Sequence, residues 1–144
     1  MIRLEDHFRG LSDPTRLRIV NLLLHDELCG CHLQRLLGIT QSVVSRHLIY
    51  LKRSGLVADR RDGFRVFYRL ADKKPLRQLL DFLRQSFRGE EVFVHDLARL
   101  RHVLAEGALP SWLARSRAQG NAWRVRRREH VPGLDERRGQ RAAR

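Results

Sequence analysis

Long apolar runs are missing from this chain. No stretch approaches the roughly 18 consecutive apolar residues that a membrane-crossing helix needs. The first twenty residues carry charges throughout and lack the apolar centre of a secretory signal. A cytoplasmic protein is therefore expected, in a compartment that keeps thiols reduced. Cysteine is scarce as well. There are two, Cys29 and Cys31, separated by one glycine. A disulfide framework is thereby excluded, and a bond between such close neighbours is expected to be strained and disfavoured, so the pair reads as metal ligands or redox thiols. No glycine-rich phosphate loop appears, and neither cysteine has an acid or base arranged beside it for catalysis, so an enzyme is not expected. Acidic residues are the remaining shortage: 16 Asp and Glu face 29 Lys and Arg, a net charge of +13. An excess of that size points to a polyanionic partner, nucleic acid before an acidic membrane surface.

What the chain does contain is helical punctuation. Leu4, Phe8 and Leu11 repeat at helical spacing over residues 3–11. Asp13 and Pro14 then cap and open a second helix carrying Leu17, Val20, Leu23 and Leu24 to about His25. A third, short helix with Leu33, Leu36 and Leu37 ends at Gly38, and Thr40 caps a fourth with Val44, Leu48 and Leu51 inward. Two helices separated by Gly38-Ile39-Thr40 give a helix-turn-helix. The period then changes to alternation. Phe64, Val66, Tyr68 and Leu70 are expected on one strand face, with Asp62-Gly63 as the hairpin turn, both positions taking positive φ. Residues 57–70 thus form a β-hairpin, and the fold class is mainly α with a β-hairpin wing: a winged helix-turn-helix. Helices over about 73–87 and 90–106 follow. Apolar surplus on the first and last helices predicts a homodimer, which sets two reading heads on DNA. Residues 1–106 form the DNA-binding and dimerisation domain. Residues 107–144 read as a basic, disordered C-terminal tail, with ten arginines against three acids between 110 and 144.

The segments Leu11-Ser12-Asp13-Pro14-Thr15-Arg16-Leu17-Arg18-Ile19, Glu27-Leu28-Cys29-Gly30-Cys31-His32-Leu33, Gln41-Ser42-Val43-Val44-Ser45-Arg46-His47-Leu48 and Ser54-Gly55-Leu56-Val57 come in an order and spacing that resemble the ArsR/SmtB repressors. The wing segment Asp62 to Leu70 continues the likeness, which covers about residues 3–106. The resemblance implies a homodimeric repressor that leaves double-stranded operator DNA, an inverted repeat, when its inducer binds. The Cys-x-Cys looks like that of the arsenite, antimonite, cadmium or lead sensors, so As(III) or Sb(III) is the expected inducer, with Cd(II), Pb(II) or Zn(II) as alternatives.

The fourth helix is expected in the major groove, with Gln41, Ser42, Ser45, Arg46 and His47 as candidate DNA contacts. Gln and Arg can pair bidentately with adenine and guanine. Arg60, Arg61 and Arg65 are expected around the wing tip, against backbone or minor groove. Arg3 and Arg18 are read as charges that need no such role. Cys29 sits near the start of the third helix and Cys31 inside its first turn, where free amides and the helix dipole favour thiolates, the ligands soft ions prefer. Two sulfurs do not complete an arsenite site. The third cysteine of the arsenite sensors falls at Gln34 here, so the remaining ligand is open: His32, His25, a partner's His7, water or an exogenous thiol. A last-helix zinc site from Glu91, His102 and Glu106 is not expected, as its pattern departs from that of the zinc sensors. Two other readings use the same scaffold: a repressor switched by oxidation or persulfidation of the two thiols, and an architectural DNA-binding protein whose cysteines are incidental.

Overall fold

A computed structural model describes residues 1–105; the expected tail and Glu106 lie outside the described residues. Asp13 accepts a hydrogen bond from the Arg16 amide at 2.9 Å and starts α2 (Pro14–Leu23), after the short α1 (Leu4–Leu11). Pro14 occupies the first turn, where its missing donor is not needed. A two-residue strand, β1 (Leu28–Cys29), leads directly into α3 (Gly30–Leu37). Gly38 closes α3 with φ +65, in the left-handed region that suits glycine at this position. Thr40 then caps α4 (Gln41–Arg53) by accepting from the Val43 amide. The hairpin comprises β2 (Val57–Asp62) and β3 (Arg65–Leu70), and α5 (Lys74–Phe87) and α6 (Glu91–Ala105) complete the chain as described.

The core gathers one stripe from each helix. Ile19, Leu22 and Leu23 of α2 meet Leu33 of α3, Leu48 and Leu51 of α4, Leu76 and Leu80 of α5, and Phe93 and Leu100 of α6. Burial of such side chains contributes about 1.5–3 kcal/mol each. Arg18 donates from Nε and Nη2 to both carboxylate oxygens of Asp96 at 2.7 and 2.8 Å, joining α2 to α6. Asn21 donates to the Phe93 carbonyl at 3.1 Å beside it. Aligned alternation of polar and apolar residues does not reveal such a pair, because its members stand 78 residues apart.

The sheet has three strands in the order β1-β3-β2, all antiparallel. β1 was not expected: two residues are too few to show alternation. It pairs Leu28 with Tyr68 and Cys29 with Phe67. Two corrections concern the hairpin end. The closing pair is Asp62 with Arg65, so the turn residues are Gly63 and Phe64 rather than Asp62 and Gly63. Only Gly63 takes positive φ, +62, because glycine at the first central position suffices for a two-residue hairpin turn. Phe64 consequently leaves the strand face and stands fully exposed, while Phe67 is the buried aromatic of β3.

Candidate metal or thiol site and nucleic-acid face

Cys29 is the residue that caps α3, and Cys31 is the second residue of that helix. Gly30 between them brings no Cβ, and the two Cα atoms lie 5.4 Å apart, inside the range of about 4.4–6.8 Å that disulfides occupy. The sulfurs are joined. This overturns the expectation that so short a spacing resists a bond: the chain turns from β1 into α3 between the two cysteines, and the turn brings the sulfurs together. Cys29 is buried and Cys31 exposed.

His32 completes the group. Cys29, Cys31 and His32 offer ligand atoms that all lie within 4.8 Å of one another. Donors around one ion at about 2.0–2.3 Å stand roughly 3.5–4 Å apart, so the joined sulfurs would have to be reduced and to separate before the group could hold a soft ion. Nδ1 of His32 accepts a hydrogen bond from the Cys29 amide at 3.2 Å, which fixes the ring against the helix start. Burial, with help from the Arg65 and Arg35 charges, lowers the His32 pKa to about 4, so the ring is neutral near pH 7, the form that ligates metal. His7 goes elsewhere: its Nδ1 donates to the Ser54 carbonyl at 2.7 Å, tying α1 to the end of α4. His25 is exposed and outside the three-ligand group. Gln34, one turn on, is exposed and offers no third thiolate. Glu91 opens α6 and His102 lies in its last turn, and the two are not part of a ligand group among the described residues.

The hairpin reaches this site from the side. Arg65 donates from Nη1 to the Cys31 sulfur at 3.6 Å. Arg60, expected at the tip, pairs with the buried Glu27 just before β1 and lies over the Phe67 ring, 4.9 Å from its centroid. It is thus engaged inward, which leaves Arg61 and Arg65 as the exposed arginines of the hairpin end. These contacts were not legible in the sequence, since they span 33 and 34 residues.

On α4, Val44, Leu48 and Leu51 face the core. Gln41, Ser42, Ser45 and Arg46 are exposed on the remaining surface. His47 is half-buried and turned back, its Nδ1 3.8 Å from the Asp13 carboxylate. Arg16 lies over the Tyr50 ring at 4.1 Å and donates to the Gly10 carbonyl at 2.7 Å, locking α1, α2 and α4 together.

The chain is similar to known proteins in sequence and fold. The family described as "Bacterial regulatory protein, arsR family" matches residues 13–59. A transcriptional repressor SmtB homolog of Synechocystis is 37% identical over 87 residues, covering 58% of this chain and 66% of that protein. The arsenical resistance operon repressor of Escherichia coli is 48% identical over 69 residues, 47% of this chain and 59% of that one. The match therefore spans under two thirds of the length of these relatives. Among solved structures, the transcriptional repressor BigR of Xylella fastidiosa is 34% identical with a TM-score of 0.54, covering 61% of this chain and 86% of that chain. No helix among the described residues is long and apolar enough to cross a membrane. With its helix-turn-helix, its wing and these likenesses together, the chain belongs to the ArsR family of bacterial winged-helix regulators.

Proposed function

We propose that the chain is a homodimeric transcriptional repressor that binds an inverted-repeat operator and leaves it when a soft metal or metalloid takes Cys29 and Cys31. The observation that carries this reading is the position of the three-ligand group: it occupies the start of α3, the helix packed directly on α4. Gln41, Ser42, Ser45 and Arg46 enter the major groove from the exposed side of α4. Arsenite or antimonite is the first candidate inducer, and cadmium, lead and zinc are the others. The ion supplies bonds to sulfur that only the reduced pair can accept. Cys29, Cys31 and His32 would hold the ion, and drawing Cys31 towards it would shift the first turn of α3 and, through the β1–β3 ladder and the neighbouring Arg65, the hairpin as well. Moving an operator from almost full to almost empty takes a differential affinity of about 10⁴-fold, or about 5.5 kcal/mol, between the two forms.

One observation favours a second reading, a thiol redox switch: the sulfurs are joined. Forming that bond from two thiols releases two protons and passes two electrons to an oxidant such as a peroxide or a disulfide.

Fluorescence anisotropy of reduced protein on the DNA upstream of its own gene separates the two. Arsenite, antimonite, cadmium, lead and zinc are titrated against wild type and the Cys29→Ser, Cys31→Ser variant. Release by an ion in wild type alone is the expected result. Tight binding unaffected by every ion, but lost on oxidation, would establish the redox switch instead. An unchanged response in the variant would remove both readings.

A further inference from the structure

We propose that Phe64 is a wedge that inserts into the minor groove of duplex DNA and unstacks a base step; this rests on the DNA-binding reading above. The ring has 109% relative exposure, at the far end of the hairpin. Leu4 and Phe8, also exposed, lie one turn apart on α1, a helix face that suits a second copy of the chain. Phe64 stands apart from them, on the turn. Burying a ring of this size in water-free surroundings is strongly favourable, and the fold leaves that gain unused.

The turn also fixes the backbone that carries the ring. Gly63 absorbs the backbone reversal, and the Asp62–Arg65 pair closes the ladder immediately beneath. Paired residues share a face and successive residues alternate. Arg65, opposite Asp62, therefore lies on one face of the hairpin and Arg61, opposite Val66, on the other. An exposed aromatic bracketed by arginines on both sides complements a minor groove, whose floor is a stack of base pairs and whose two walls are phosphates. The chain's net charge of +13 points to the same occupant. Because Arg65 also reaches the Cys31 sulfur, the wedge is mounted on the strand that borders the thiol pair.

The test uses reduced full-length protein and duplex from upstream of its own gene, with 2-aminopurine replacing adenine at one position at a time. Wild type is expected to raise the fluorescence of one step on each flank of the site. Phe64→Ala should bind about tenfold more weakly and lose that rise, whereas Phe64→Leu, still an apolar wedge, should keep part of it. The ring touches no core residue, so an unchanged thermal midpoint should show that Phe64→Ala folds. Equal affinity and equal fluorescence for Phe64→Ala would overturn the proposal. So would a wild type that binds without any fluorescence rise. Loss of binding to anionic phosphatidylglycerol vesicles in Phe64→Ala, with DNA binding intact, would reassign the ring to a membrane surface. No binding of wild type to any upstream duplex would overturn the DNA-binding reading itself, a different result from any of these.

Discussion

A carboxylate with 1% exposure is tolerable only if its charge is answered, and Asp96 is answered by a single guanidinium. Two parallel hydrogen bonds from Arg18 fix the distance between α2 and α6 more strictly than apolar packing does. Removing one partner leaves the other buried and alone, which costs more than the pair contributes. Arg18→Ala is therefore expected to lower stability by about 3 kcal/mol in urea unfolding. The joint replacement Arg18→Met, Asp96→Leu should recover most of that loss, since no unpaired charge remains. A similar logic governs Glu27 and Arg60 beside the thiol pair. Their engagement with each other, and with Phe67, spends an arginine on holding β1 to the hairpin that the sequence alone assigned to DNA.

At the scale of elements, glycine decides how closely α1 approaches the end of α4. A Cβ on Gly10 would lie 2.4 Å from the Ser54 Oγ and 2.6 Å from Leu56 Cδ1. Both neighbours are buried, so neither can retreat into solvent. Gly10→Ala should thus destabilise by about 1–3 kcal/mol, read as a lower thermal midpoint. Gly89→Ala, whose Cβ meets nothing nearer than 3.7 Å, should change it little. The helices were legible from sequence because apolar residues recur at helical spacing and three helix ends carry a cap that acts locally: Asp13, Thr40 and Gly38 all do what their positions suggest. Cys29, Cys31 and His32 lie close because of their spacing at the start of α3, although the sequence leaves His25, a partner's His7, water and an exogenous thiol open beside His32. What escaped was non-local or too short to have a period. β1 is two residues, the joining of the sulfurs depends on the strand-to-helix turn around Gly30, and the Arg65 contact joins distant segments. Alternation alone puts Phe64 on a strand face, because it counts residues without registering where the turn falls.

For the whole molecule, the question is how the remaining apolar surface is covered. Leu4 and Phe8 are one helical turn apart on the outer side of α1, at 65% and 54% exposure, and Val92 and Val94 are exposed on α6. α1 is itself anchored to the reading head by His7 on the Ser54 carbonyl and by Arg16 on the Gly10 carbonyl. A second copy docked along α1 and α6 would cover these side chains and, through those anchors, fix the relative placement of two α4 helices. On the proposed inverted-repeat operator, affinity would then depend on the dimer, because each half-site alone would engage only one reading head. Leu4→Glu, Phe8→Glu should leave each subunit folded, since neither side chain is buried. It should turn a dimer into a monomer in sedimentation at micromolar concentration, and weaken operator binding by about a hundredfold or more as one head is lost. A variant that remains dimeric would place the interface elsewhere. A variant that becomes monomeric yet binds the operator as tightly as wild type would show that one head suffices, and the inverted-repeat reading would fall with it.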